Sequence, residues 1–232
     1  MSRLITLFVW VLCVATGGLG LTACSSGGSD TGTQPDPTKQ LADAKAALDS
    51  ADSLRFSLSS DGLPSGQAGV VKASGVGTHD PAFQGDIEVN QSGLGVNGEV
   101  VAVDGKVYAK LLVPVFVEID PAAYGAPDPA VLMSEKSGIS SLLTAAVDVK
   151  SDGQRREGSD VLDEISGTIP GDAMAAIFPT ADGSASFPAT FALDADGKLR
   201  TAEISGPFYG GDSVTYTVTL DEHGGPVEIT AP

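Results

Sequence analysis

The sequence predicts an α+β domain: one large antiparallel sheet with a few helices on one face. Three observations predict it. Apolar and polar residues alternate in run after run, as in half-buried strands. Asp-Gly and similar turn signals separate consecutive runs by a few residues, which antiparallel neighbours permit and parallel ones do not. Only three stretches switch to helical spacing.

The first of these follows Asp36-Pro37, an N-cap and first-turn proline. Leu41, Ala44, Ala47 and Leu48 recur at helical spacing, so a short amphipathic helix runs to about residue 50. The period then changes to two. In SLRFSLSS, Leu54, Phe56 and Leu58 alternate with polar residues, and Asp61-Gly62 marks a turn. Residues 69–78 and 82–92 are Gly-rich strand candidates, the second with Phe83, Ile87 and Val89 on one face. Residues 96–103 and 106–113 flank Asp104-Gly105, a strong hairpin signal.

The second helical stretch is 128–148, with Val131, Leu132, Ile139, Leu142, Leu143 and Ala146, broken near Ser137-Gly138 into two short helices. Strands resume at about 154–158 and 161–168, and a third helical stretch fits 171–178. Phe187, Ala189, Phe191 and Leu193 alternate, the Asp196-Gly197 turn follows, and 198–205 returns. Val214, Tyr216, Val218 and Leu220 alternate once more, and Val227–Thr230 adds a last strand candidate. No internal repeat is visible.

The N-terminus has a different layout. Arg3 is the one charge before a run, residues 4–21, that contains none, and the small residues Thr22 and Ala23 follow. This is the plan of a secretory signal peptide. A single transmembrane helix is the competing reading, since about 18 apolar residues can just span a bilayer. Gly17, Gly18, Gly20 and the lack of a basic flank count against it. Leu21-Thr22-Ala23-Cys24 resembles the bacterial lipobox, in which the Cys thiol takes a diacylglyceryl group and becomes the new N-terminus. Cys24 is thus expected to be lipidated. Cys13 departs with the signal peptide, leaving no free thiol for catalysis, metal or disulfide.

The expected organisation is a signal peptide over 1–23, a lipidated Cys and flexible tether over 24–37, and one domain over 38–232. The tether lacks large apolar residues and would reach roughly 20 Å as a random chain. Without Arg3 the mature chain has 12 basic and 30 acidic residues, a net charge of −18. That balance argues against nucleic acid as a partner and against the body lying flat on an anionic membrane. It reads most simply as a solubility device. A 42% hydrophobic composition argues against disorder.

No catalytic constellation stands out. His79 and His223 both adjoin turn signals and read as surface turn residues. Zinc would want several His or Cys ligands. Asp194-Ala195-Asp196-Gly197 opens like a calcium loop, but Leu199 stands at the sixth position and Ser205 at the twelfth, so it reads as a hairpin turn. Asp163-Glu164 and Asp221-Glu222 are acid pairs without a matching signature. The expectation is a protein that is not an enzyme and has no metal or cofactor. An envelope hydrolase using such carboxylates is the weakest reading.

Small residues recur on the strands: Ala73, Gly75, Gly85, Gly98, Ala102 and Ala109. Space above them must be filled by helix side chains or left as a cavity. The mature chain has no Trp, 4 Tyr and 7 Phe with which to fill it.

Several stretches in order resemble the LppX/LprA/LprF/LprG lipoproteins of mycobacteria, over roughly residues 40–232. They are Val100–Ala109 around its Asp-Gly turn, Asp128-Pro129-Ala130 with Gly138-Ile139, Ile165-Ser166-Gly167, Phe187-Pro188-Ala189-Thr190, and the tail Gly224–Pro232. Two positions depart: His223 stands where that family usually has Trp, and Pro127 where it has Tyr.

The resemblance implies a half-barrel of the LolA/LolB kind, its concave side covered by helices. It also implies an apolar cavity for the acyl chains of phosphatidylinositol mannosides, lipoglycans or triacylglycerol. It implies a monomer anchored on the outer face of the cell membrane, working beside an efflux-type exporter. Alternation and helical spacing then assign to the cavity Phe56, Leu58, Ala73, Ile87, Val89, Val100 and Ala102 from the first strands. Leu132, Ile139, Leu142 and Leu143 join them from the helical segment, and Phe191, Val214, Tyr216 and Val218 from the last strands. The alternative is an interaction or scaffold lipoprotein with a filled core that supports a membrane transporter or synthase.

Overall fold

The computed structural model describes residues 35–232. The predicted signal peptide, Cys24 and most of the predicted tether lie outside the described residues. Eleven antiparallel strands form one curved sheet. The first six are β1 (Ser53–Asp61), β2 (Gly69–Thr78), β3 (Ala82–Gln91), β4 (Leu94–Val103), β5 (Lys106–Lys110) and β6 (Val117–Ile119). The rest are β7 (Val147–Glu157), β8 (Asp160–Pro170), β9 (Ser186–Leu193), β10 (Leu199–Gly206) and β11 (Val214–Gly224). Their order is β6-β5-β4-β3-β2-β1-β11-β10-β9-β8-β7. Two meanders thus start back to back from a seam where the first strand pairs with the last. Along this seam Leu58 faces Val218 and Leu54 faces His223.

Alternation sets which face is buried. A single cross-strand row runs Gly98, Ile87, Ala73, Leu58, Val218, Ala202, Phe191, Ile165 across eight strands. Irregular registers at Arg55/Phe56, Val70/Lys72 and Leu199/Thr201 add the local twist that curves the sheet.

Three helices cover one half of the inner face. Helix α1 (Pro37–Asp49) starts as its sequence predicts, with the Asp36 carboxylate accepting from Thr38 N–H at 3.0 Å. It buries Leu41, Ala44 and Leu48. Helix α1 packs on α2 (Ser140–Ala145), β7 and β10, while α2 and α3 (Gly171–Ile177) pack on β8. Over the other half, β1–β5, α1 reaches only the edge, through Leu48 beside Leu54 and Phe56. The cover of that half is the long connection after β5, with 3-10 turns at Pro121–Tyr124 and Val131–Met133 that lie on β3.

Several expectations are corrected. The strand read over 106–113 ends at Lys110, and residues 111–115 bend away from the ladder. The short β6 was not legible in the Leu111–Ile119 run, which is apolar but for Glu118. Strand β7 starts at Val147, seven residues before the alternation suggested, since both faces of this edge strand are largely exposed. Residues 227–230 form no strand.

The small residues of the sheet are mostly spoken for. Gly75 faces Gly85 across β2 and β3, and the Phe83 ring lies 2.8 Å from where a Cβ on either would be. Met133 Sδ would lie 2.6 Å from a Cβ on Gly77, and Leu111 covers Gly98.

Candidate functional site

The two halves of the inner face are packed differently. Over β8–β11 the core is solid, with Phe187, Phe191, Ile165 and Val214 at most 1% exposed. Phe208 stands 5.0 Å from Phe187 and 4.9 Å from Tyr216, ring to ring, and Phe178 stacks on Tyr216 at 5.6 Å. These rings form a partition.

On its other side, over β1–β5, is an apolar void of about 70 Å³. Strand residues floor it: Phe56, Leu58, Val70, Ala73, Phe83, Ile87, Val89, Val100, Val107 and Ala109. Its roof is Leu111, Ile119, Pro121, Tyr124, Ala126, Pro127, Pro129 and Leu132. No charged side chain lines it. A smaller void of about 30 Å³ beside it touches Phe56, Leu132, Ile139 and Val218. Pockets that enclose a small organic ligand are typically ~300–1,000 Å³. The closed interior is therefore only a seed of a binding site, and larger occupants require the roof to move.

Of the residues assigned from sequence, Phe56, Leu58, Ala73, Ile87, Val89, Val100, Leu132 and Tyr216 lie on the larger void. Ile139 and Val218 lie on the smaller one. Ala102, Leu142, Leu143, Phe191 and Val214 line neither; they are closely packed, and Leu142 and Leu143 are buried residues of α2 at 2% exposure. Phe83 was missed although it alternates with Ile87 and Val89, so the period-two signal was sufficient to find it. Pro121, Ala126, Pro127 and Pro129 carry no periodicity, and no local signal marks them as roof.

Polar anchors hold the roof. The Tyr209 hydroxyl donates to the Gly125 carbonyl at 3.2 Å and lies 2.7 Å from the Tyr216 hydroxyl. Burial, chiefly, pushes both hydroxyls above the ordinary tyrosine range, so they stay neutral donors. Gly125 needs its left-handed φ of 65°, and a Cβ there would also collide with the chain at Ala68. His79 is not a free surface turn residue. Its Nδ1 lies 2.8 Å from Met133 O and its Nε2 2.8 Å from Leu48 O, joining the end of α1 to the roof.

A concavity of about 820 Å³ lies on the opposite, polar side of the sheet. Lys72, Asp86, Glu88, Glu99 and Lys110 line it, which makes it a wet, mixed-charge groove. It shares Leu58, Ala73, Ile87 and Leu111 with the interior void, so little more than the sheet separates the two. No group of three or more His, Cys, Asp or Glu suited to a metal occurs among the described residues. Asp194 accepts from Asp196 N–H and Lys198 N–H, closing a tight turn in place of a calcium loop.

The fold matches known proteins. The profile of the LppX_LprAFG lipoproteins covers residues 36–229, nearly the whole described domain. The chain belongs to that family. Among its relatives, the lipoarabinomannan carrier protein LprG of Mycobacterium tuberculosis (strain ATCC 25618 / H37Rv) is 25% identical over 213 residues, spanning 91% of this chain and 89% of that one. LprG of Mycobacterium leprae (strain TN) is 25% identical over 229 residues, spanning 97% and 95%. Two crystal structures share the fold: LprF from Mycobacterium bovis, with a TM-score of 0.70, 19% identity and coverage of 86% and 98%, and the Mycobacterium tuberculosis lipoprotein LppX, with 0.63, 18%, 85% and 100%. Membership makes this a lipoprotein of carrier kin. Among the described residues, no helix is long and apolar enough to cross a membrane.

Proposed function

We propose that the chain is an envelope lipoprotein, anchored through Cys24, that binds acyl chains of lipids between β1–β5 and the roof. It carries or presents them beside a membrane exporter, without catalysis. The single observation behind this is the uncharged apolar void, which lies where the sheet is covered by irregular chain and not by helices. The roof is tied by local turn hydrogen bonds, such as Gly125 N–H to Ala122 O and Met133 N–H to Ala130 O, and irregular connections of this kind open more cheaply than core strands.

The energetics suit a carrier. A 16-carbon chain exposes some 15 methylenes, and water contact costs roughly 12 kcal/mol at ~0.8 per CH₂. Transfer into a dry interior removes most of that cost. Phosphatidylinositol mannosides, lipoglycans and triacylglycerol are the cargo classes we favour, in keeping with relatives that bear the name lipoarabinomannan carrier. An outer-face location and a monomeric state complete the proposal.

The small size of the void favours a second reading, a scaffold lipoprotein with a filled core. One experiment separates them. The protein is purified from its native membrane, extracted with organic solvent and analysed by mass spectrometry. A stoichiometric acylated lipid supports the carrier; none, together with no uptake of a lipid offered in vesicles, supports the scaffold.

A further inference from the structure

Nine large apolar residues are more than a third exposed among the described residues; three of them crowd the short loop between β5 and β6, and a fourth opens β6. They are Leu112 at 85%, Val113 at 46%, Val115 at 58% and Val117 at 44%. A fifth, Leu94 at 72%, begins β4, the strand against which β5 leads into this loop. Scattered exposed apolar residues are ordinary; a contiguous set marks a contact surface.

We propose that the Leu112–Val117 loop is a bilayer-docking tip that seats Leu112, Val113 and Val115 among the headgroups and upper acyl chains of a phospholipid surface. The proposal rests on the reading of this chain as a lipid-anchored carrier.

The chemistry of the loop selects a bilayer. Residues 111–117, LLVPVFV, offer no side-chain hydrogen-bond donor or acceptor. A protein groove is normally read by a few placed polar groups, whereas a lipid surface asks only for apolar area. The backbone polar groups must stay near water, so the seat is interfacial and shallow. In a chain of net charge −17, no acid occurs between Asp104 and Glu118, and the two charges there are Lys106 and Lys110. Lys110 lies with its amino group 6.0 Å from the centre of the Phe116 ring, so its stem follows the loop. Lys106 and Lys110 pair with Glu118 and Glu99, and Leu112 and Val113 border the groove that holds Asp86, Glu88 and Glu99, so the seat rests on apolar area and not on headgroup charge.

Position agrees with chemistry. Leu111, the first residue of the run, lines the interior void and the outer groove at once. A loop seated in lipid would place that residue at the boundary between bilayer and cavity, and an acyl chain could pass without crossing water. The predicted anchor stands 13 residues before α1, a tether of roughly 20 Å as a random chain that keeps the domain close to lipid.

The test uses the full chain reconstituted in phosphatidylcholine/phosphatidylglycerol vesicles, with acyl chains either plain or brominated near the headgroup. Val113→Trp and Val227→Trp introduce a reporter at two exposed valines, and the lipidated chain, cleaved before Cys24, holds no other Trp. Fluorescence of Val113→Trp should be quenched at least about twofold more by brominated lipid, as befits a group about 5–10 Å deep. Val227→Trp should be quenched no more by brominated than by plain lipid. Equal quenching at both sites overturns the proposal, whether or not some protein later binds the loop. A paired Leu112→Asp, Val115→Asp variant should melt at the parent temperature and take up vesicle lipid about tenfold more slowly, a barrier of about 1.4 kcal/mol. If the loop is quenched but no variant or parent takes up lipid, the docking tip stands and the carrier reading fails.

Discussion

The Tyr209 and Tyr216 hydroxyls lie 2.7 Å apart, and through Tyr209 the pair ties the roof turn at Gly125 to strand β11. Tyr209→Phe deletes the one donor to Gly125 O that this pair supplies. It should cost about 0.5–1.5 kcal/mol of stability, measurable by urea unfolding. If the roof gates the cavity, lipid transfer from vesicles should quicken. Slower or unchanged transfer in a normally folded variant would argue that this tie is not part of the gate.

Ile87 tests the cavity itself. It lines the void on a row between Ala73 and Gly98, two neighbours with little bulk. Ile87→Trp should lower stability by less than about 1 kcal/mol, at or below the low end of overpacking costs, while lipid occupancy falls sharply. Phe191→Trp, in the solid half, should cost about 1–3 kcal/mol and leave occupancy per folded molecule unchanged. If both variants lose stability equally and bind lipid equally, Ile87 does not line a cargo space.

The Gly75–Gly85 pair is a packing requirement. A Cβ on Gly85 would be forced into the Ser74 carbonyl oxygen and within 2.8 Å of Gly75 Cα and the Phe83 ring. Gly85→Ala should therefore destabilise by about 1–3 kcal/mol, by thermal melting. Gly183→Ala, whose Cβ meets only Ala175 Cβ at 3.7 Å, should be close to neutral.

His223, at the seam, supplies a pH signature. Burial first, and then the Lys198 charge, hold its imidazole below the ordinary histidine range. The folded state thus binds its proton less readily than the unfolded chain. The associated stability is present above the unfolded value near 6.5 and is lost as pH falls through the folded value. Between about pH 7.5 and 5.5 the melting temperature of the parent should drop more steeply than that of His223→Gln. Parallel curves would remove His223 from the account.

His79 bridges two carbonyls, so His79→Ala leaves both without this partner. A loss of about 1–3 kcal/mol in chemical denaturation is expected. A surface turn residue would cost almost nothing.

What the sequence by itself determined was local. Alternation in β1, β3, β9 and β11, Asp-Gly turns at 104–105 and 196–197, and the Asp36 cap specified strands, hairpins and α1 because each depends on neighbours a few residues away. The class of fold and the inner face of those four strands follow from the same short-range periods. Only the tertiary structure decided that β1 pairs with β11, because that contact joins residues some 160 apart in the chain and leaves no local trace. It likewise decided which side of the sheet is solid. Phe191 and Ile87 look alike in sequence, each an apolar residue on an alternating strand and both on one cross-strand row. One lies beneath helix-covered core and the other beneath a proline-rich roof, since helices pack to full density on a sheet and irregular chain does not.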